Sequence, residues 1–387
     1  MSVGQKTKKL KIVVLPGDGI GPEVIAEGVK VLKAVEERIS LNFELIEFQC
    51  GGQYWLKTGK KDEWPPEAYE TCKKEADAIL LGAIGWTNPD GTTVKYPDGR
   101  MVGLNILFGL RFGLDLYANV RPTKLFEGVP HSISGVFKQV WDPKNVDFVT
   151  VRENTEDLYC DTHGRLYRGE VTEVATDTRL ITKKGSERVI RFAFEYCKRR
   201  NKGSPKDGQL RLTCVDKSNV LSGCTLFRNT YQEIKKEYPQ IQEDYAFIDA
   251  FTQWIIRQPE WYDVVVVPNM FGDIATDLAA VLQGGMGMAP AGNIGERNAM
   301  FEPIHGSAPK HAGRNEINPI ATILAVEMML SWLSIKHGEK LKEGANLIQR
   351  AVTKNLKEGK IKTYDIGGTS KTSEVGDAIV SLIKKMG

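Results

Sequence analysis

Asp273 and Asp277 stand four residues apart, just after the run Val264-Val265-Val266-Val267 and the stop at Pro268-Asn269. The four valines predict a buried strand, and Phe271-Gly272 predicts a turn that delivers the chain to a helix with both carboxylates in its first turns. Side chains at i and i+4 lie one above the other on a helix, so this pair can aim several oxygens at one point. Mg2+ and similar hard cations take oxygen ligands, using one or two carboxylates and leaving other positions to water and substrate. The helix dipole alone also favours Asp near a helix start, so the pair acquires a metal-binding meaning only from the rest of the chain.

Three arginines supply that context. Arg111 closes a stretch of helical apolar spacing from Leu104 to Phe112, Arg121 follows across a helix-to-strand change, and Arg152 ends an alternating strand that begins at Asp147. A planar guanidinium fork can bond both oxygens of a carboxylate. Three such side chains leaving element ends imply a small anionic substrate with several carboxylates.

An α/β framework must position these groups. Lys11 to Leu15 predicts a strand, Pro16-Gly17-Asp18-Gly19-Ile20-Gly21-Pro22 a turn-rich loop, Glu23 to Ile39 a helix and Phe43 to Phe48 a second strand. The glycines read GxGxG followed by Pro, whereas the dinucleotide fingerprint needs GxGxxG, so the usual Rossmann unit is excluded. A third strand, Ala78 to Ala83, precedes a loop rich in Gly, Pro and Asp from Gly85 to Gly99, of the kind found beside binding sites.

At 387 residues and 41% hydrophobic, the chain is long enough for two domains. Lys+Arg 52 against Asp+Glu 49 leaves a formal charge of +3, which argues against nucleic-acid or anionic membrane partners. Lys6, Lys8 and Lys9 predict a solvated basic end. Six scattered cysteines without a CxxC pair argue against a disulfide framework or a zinc ribbon and fit a reducing cytoplasm. The N-terminus lacks a signal-peptide core, and the longest apolar run, Ala321 to Ile335, is broken by Glu327 and two serines. It predicts a core or interface helix rather than a membrane span.

Six separated motifs carry a resemblance: Leu15-Pro-Gly-Asp-Gly-Ile-Gly-Pro-Glu23, Asp115-Leu-Tyr-Ala-Asn-Val-Arg-Pro122, Val151-Arg-Glu-Asn-Thr-Glu156, Val215-Asp-Lys-Ser-Asn-Val220, Asn269-Met-Phe-Gly-Asp-Ile274 and His305-Gly-Ser-Ala-Pro309. In this order they resemble the β-decarboxylating dehydrogenases that act on 3-substituted malates, the isocitrate/isopropylmalate dehydrogenase family with its homoisocitrate and tartrate members. The resemblance implies a two-domain α/β fold, isopropylmalate dehydrogenase-like and not a classical Rossmann fold. Its large domain would take residues 1–117 and 285–387, and its small domain, with the dimer contacts, residues 118–284. It implies that Lys217 helps remove the substrate hydroxyl proton, which requires burial or a positive neighbour to lower the lysine pKa. Tyr159 would protonate carbon after carbon dioxide leaves. Asp249, placed at the end of a strand from Tyr245 to Ile248, would join Asp273 and Asp277 around Mg2+ or Mn2+. Lys217 and Asp249 would come from the neighbouring subunit, making a homodimer with shared sites, or a higher oligomer.

For the cofactor, the family uses the loop with Glu302, His305, Gly306, Ser307 and Ala308, together with Asn318. NAD-using relatives place Asp-Ile after the His-Gly-Ser-Ala-Pro motif, but this chain has Lys310-His311 there. A basic residue attracts a 2′-phosphate, and Tyr364 resembles the phosphate-contacting tyrosine of NADP-using relatives, so NADP is favoured over NAD. Gly368 stands where those enzymes have an arginine. For the substrate, Asn105, Leu107 and Phe108 precede Arg111. Two apolar side chains suit an alkyl substituent such as isopropyl, whereas Asn105 fits the extra carboxylate of isocitrate, and Leu110-Arg111-Phe112 resembles tartrate-type members. A catalytically silent regulatory subunit would lack one of Lys217, Tyr159, Asp249, Asp273 or Asp277, and this chain keeps them all.

Overall fold

In a computed structural model the chain is described from Lys9 to Met386, so Lys6 and Lys8 of the basic end lie outside the described residues. It separates into two compact units. One takes the chain up to Leu114, then Phe126–Val140, then Gln283 onward; the other takes Asp115–Leu125 and Trp141–Leu282.

In the first unit the strands Pro290–Ile294, Ala299–Pro303, Ala78–Leu81, Leu10–Leu15 and Phe43–Glu47 lie side by side in that order. The first pair is antiparallel and the other pairs are parallel. Parallel strands are covered on both faces, which is why Ile12 to Leu15 form an unbroken apolar run exposed by 1% or less. The helices Gly21–Ile39, Ile320–His337, Glu339–Glu358 and Thr372–Lys385 belong to this unit. Ile320–His337 is long and apolar enough by composition to cross a membrane, yet most of its residues are buried against the strands Pro290–Ile294 and Ala299–Pro303 and the helices beside it. It is a core helix, as its broken apolar run predicts.

The glycines of the first loop serve close packing. Gly19 has φ +60°, and a Cβ on it would lie 2.0 Å from the Ser307 carbonyl oxygen, which accepts the Ile20 N–H at 2.9 Å. Only glycine fits that approach. Between Gly17 and Gly19, Asp18 is fully buried and accepts the N–H groups of Gly52, Gln53 and Gly85 at 2.8, 2.9 and 2.9 Å. Gly52 and Gln53 open the helix Gly52–Lys57, so one carboxylate satisfies donors that helix geometry leaves unpaired.

In the second unit the order is Gln242–Phe247, Arg211–Asp216, Val264–Val267, Asp147–Glu153, Ala118–Lys124, all parallel except the last pair. The four valines are a buried strand, as predicted. Two local expectations are corrected. The segment Asp147–Glu153 does not alternate: Phe148 to Glu153 are all buried, because the strand is paired on both edges and packed against the helices Lys183–Arg200 and Asn269–Ala280. Phe271-Gly272 is not a turn, because the helix already begins at Asn269. Asp249 lies in the first turn of the helix Ile248–Arg257, just past the strand end at Phe247. The ribbon of His163–Arg168 paired with Val171–Asp177 is exposed along almost its whole length. All six cysteines are free thiols.

Replacing Asp18 by Ala is expected to strand the buried N–H donors of Gly52 and Gly85 and the half-buried one of Gln53, lowering stability by about 3 kcal/mol, read as a fall in the urea midpoint.

Candidate active site

Pro268 ends the valine strand, and the next residue opens the helix Asn269–Ala280 that carries Asp273 and Asp277. Asn269 Oδ1 accepts Arg152 Nε at 2.9 Å and Nη2 at 2.6 Å, while its Nδ2 donates to the Glu156 carbonyl at 2.9 Å. Arg152 Nη1 donates to Asp273 Oδ1. Arg121 adds a second guanidinium: Nη2 reaches Asp273 Oδ1 at 3.2 Å, Nη1 reaches Thr276 Oγ1 at 2.6 Å and Asp277 Oδ1 at 3.4 Å, and Nε donates to Asn119 Oδ1 at 2.8 Å. The Tyr159 hydroxyl donates to Asp273 Oδ2 at 2.9 Å. The structure therefore brings together Arg121, Arg152, Tyr159, Asp273 and Asp277.

Exposure divides the cluster. Arg152 and Arg121 are buried, whereas the Asp273 and Asp277 side chains are 36% and 54% exposed. Two sunken guanidiniums are thus balanced by two carboxylates whose side chains reach solvent. That donor set suits a hard cation that keeps water or substrate oxygens in its remaining positions. Burial, then the Asp273 carboxylate, push the Tyr159 pKa up to about 12, so the phenol remains a proton donor at neutral pH. Burial likewise raises Asp277 above the usual carboxylate range, against the pull of Arg121.

Asp249 does not join this cluster within one chain. Among the described residues no three His, Cys, Asp or Glu side chains gather so as to hold a metal ion. Asp249 Oδ1 instead pairs with Lys217 Nζ at 2.6 Å, and the hydrogen bond from Lys217 holds Asp249 below the usual carboxylate range. Lys217 thus has a carboxylate, rather than a positive charge, as its partner.

In the first unit the helix Leu104–Gly113 carries the predicted substrate residues. Arg111 is buried, and its Nη2 binds Glu302 Oε1 at 2.9 Å. Asn293 Nδ2 donates to the same oxygen at 2.8 Å, and Arg111 Nε has no hydrogen-bond partner among the described residues. Glu302, expected at the cofactor, is therefore the partner of an arginine expected at the substrate. Asn105 is exposed, with its amide donating to the Tyr96 hydroxyl at 3.0 Å; Tyr96 in turn donates to Glu63. Leu107 and Phe108 are half-buried, and the Phe108 ring lies 5.8 Å from that of Phe112.

The loop after the strand Ala299–Pro303 is closely folded. Ala308 has φ +36°, and a short helical turn spans Pro309–His311. The His311 ring lies nearly parallel to that of Tyr364, with centroids 6.3 Å apart, and His311 Nδ1 is 2.7 Å from Glu316 Oε1. Lys310 is exposed beside them. Asn318 Nδ2 donates to Asp365 Oδ2 at 3.0 Å, and its Oδ1 accepts the Ile320 N–H at 3.0 Å. His305 Nδ1 is 3.1 Å from the Gly306 carbonyl, while its Nε2 is buried without a partner among the described residues; burial lowers its pKa. A side chain at Gly368 would meet the Lys362 carbonyl oxygen at 2.0 Å, so the tight loop leaves no room for the relatives' arginine.

Sequence patterns did not point to Asn269, Thr276, Glu316, Asn293 or Tyr96. Thr276 had a usable signal, standing three residues after Asp273 on the same helical face. Asn269, one helical turn before Asp273, had the same signal.

Comparison with known proteins is consistent along the whole chain. Residues 11–379 match the family model described as isocitrate/isopropylmalate dehydrogenase. The 3-isopropylmalate dehydrogenase of Thermobifida fusca is 40% identical over 98% of this chain and 99% of that protein. The homoisocitrate dehydrogenase of Methanocaldococcus jannaschii is 41% identical over 97% and 98%. The crystal structure of isocitrate dehydrogenase from Methylococcus capsulatus aligns with a TM-score of 0.81 and 33% identity, covering 97% of this chain and all of that one.

A Cβ on Gly272 would lie 2.7 Å from Arg152 Cγ, so the helix needs glycine there to seat the arginine. In an ordinary helix interior, Gly→Ala stabilises; here Gly272→Ala is expected to destabilise by about 1–3 kcal/mol, measured by urea unfolding, and to lower activity by displacing Arg152.

Proposed function

Because the chain belongs to the isocitrate/isopropylmalate dehydrogenase family, we propose that this β-decarboxylating dehydrogenase oxidises 3-isopropylmalate to 4-methyl-2-oxopentanoate, using NADP and Mg2+ or Mn2+. The observation that carries the reaction is the convergence of Arg121, Arg152 and Tyr159 on Asp273, with Asp277 one turn away. Asp273 and Asp277 would hold the cation; bound together, cation and nicotinamide would supply Lewis-acid polarisation of a substrate oxygen and a hydride acceptor.

The chain's own groups do the rest. Arg121 and Arg152, already seated and desolvated, bind substrate carboxylates, with Arg111 as the third clamp. Lys217 takes the C2 hydroxyl proton. The 2-oxo acid that forms carries a carboxylate β to its carbonyl and loses carbon dioxide, and the Tyr159 hydroxyl then returns a proton to C3.

Lys217 and Asp249 act in the partner subunit's site in this scheme. Two features support that arrangement. The Lys217–Asp249 pair is separate from the Asp273 cluster within one chain. The ribbon His163–Asp177 exposes Leu166, Tyr167, Val171 and Val174, and a two-stranded hairpin is marginal in water unless something covers it. A homodimer supplies the cover.

NADP is favoured by Lys310 and by the His311–Tyr364 stack. An alkyl substituent is favoured by Leu107 and Phe108, since a third carboxylate against them would lack compensation. The exposed amide of Asn105 favours the second reading, isocitrate.

Nucleotide reduction with 3-isopropylmalate, isocitrate and tartrate, each with NAD and NADP, is expected to show 3-isopropylmalate turnover that stops when the cation is chelated. Turnover of isocitrate with none of isopropylmalate would overturn the substrate assignment. Lys310→Asp is expected to move the kcat/KM ratio toward NAD by roughly tenfold, the worth of one charge-assisted contact, and an unchanged ratio would remove Lys310 from cofactor choice.

A further inference from the structure

We propose that Asp157 and Arg179 are positioning residues that hold the Tyr159 hydroxyl on Asp273; this rests on the reading of Tyr159 as the proton donor. Asp157 is fully buried and has φ +72°, in the turn that follows the strand Asp147–Glu153. Its Oδ1 accepts the Leu158 N–H at 3.0 Å, one residue before Tyr159. Its Oδ2 accepts the Met270 N–H at 3.1 Å, in the first turn of the helix that carries Asp273. One carboxylate therefore grips both the turn that bears the donor and the helix that bears the acceptor of the 2.9 Å Tyr159–Asp273 bond.

Arg179 fixes that carboxylate from the other side. Its Nε and Nη2 donate to Oδ1 and Oδ2 at 2.6 and 3.3 Å, a fork that leaves Asp157 little freedom to rotate. The guanidinium lies 4.5 Å from the centre of the Phe271 ring, on the same helix turn as Met270, and its Nη1 reaches Cys224 Sγ at 3.2 Å. The backbone closes the arrangement: Asp157 N–H donates to the Leu180 carbonyl at 2.7 Å. The Leu158 N–H needs only one acceptor at residue 157, which asparagine's oxygen would supply, whereas its NH2 can accept neither the Met270 N–H nor Arg179. The charge is needed for Arg179, which ties the turn to the catalytic helix. Arg121 and Arg152 touch the carboxylates of Asp273 and Asp277, whereas Arg179 and Asp157 act one step back, through Tyr159 and the helix start.

Asn tolerates positive φ, so Asp157→Asn keeps the turn and removes the charge pair; Arg179→Lys is the second variant should the first not fold. The full-length enzyme is assayed with Mg2+, NADP and whichever of 3-isopropylmalate or isocitrate it turns over, beside Tyr159→Phe. Asp157→Asn is expected to lower kcat by about ten- to a hundredfold with KM changed by less than roughly threefold, as for a displaced catalytic group. In a Tyr159→Phe background the same change is expected to cost nothing further, because the group it positions is gone. A loss that multiplies with that of Tyr159→Phe, or a normal kcat for both Asp157→Asn and Arg179→Lys beside an impaired Tyr159→Phe, overturns the proposal alone. Full activity of Tyr159→Phe overturns the reading of Tyr159 and this proposal with it.

Discussion

A guanidinium taken out of water must be given negative charge, and beside Asp273 the second unit takes two of them, Arg121 and Arg152, out of water. Arg152 is 1% exposed, on a strand paired at both edges. Removing Asp273, itself only half-buried, would leave that sunken charge less well compensated, so Asp273 serves stability before it serves any ligand. The surrounding structure follows from that constraint. Gly272 loses its side chain to make room for Arg152, Asn269 turns its oxygen toward the same guanidinium, and Thr276 offers a hydroxyl to Arg121. The consequence is that carboxylates and arginines are held in place by one another rather than carried on flexible parts, which is the preorganisation that tight binding requires.

Much of this was legible in the residues. Four consecutive valines could only be a strand buried on both faces, and two carboxylates at i and i+4 after it had to share a helix face. The motif order carried the family, since six separated motifs constrain the whole chain. What was not legible is instructive. Gly272 gave a turn signal because glycine is equally the residue of sharp turns and of tight packing, and sequence alone does not say which. The polar residues of Asp147–Glu153 suggested alternation, but Asn269 and Asp273 satisfy its buried Arg152 from a distant helix and Thr155 satisfies Glu153 from just past the strand end. Arg111 and Glu302 are joined across 191 positions of chain, beyond any spacing rule. The return of Phe126–Val140 to the first unit likewise has no compositional marker.

The segment around Gly368 shows how a departure from a family pattern can be structural. Gly368 packs against Lys362 so closely that no side chain fits, and the ring stack of His311 on Tyr364 lies on the same unit. Basic character is thus carried by Lys310 and His311 rather than by an arginine near residue 368. Glu316 bonded to His311 Nδ1 fixes the orientation of that imidazole, leaving Nε2 as the nitrogen that points away.

The ribbon His163–Asp177 has a consequence for how the protein is made. Its strands are wet on both faces, and unpaired ribbon edges recruit whatever β-structure they meet first. A nascent chain therefore emerges with an adhesive arm whose apolar side chains face water. The yield of folded enzyme then depends on how soon that arm is covered, before it finds a stranger.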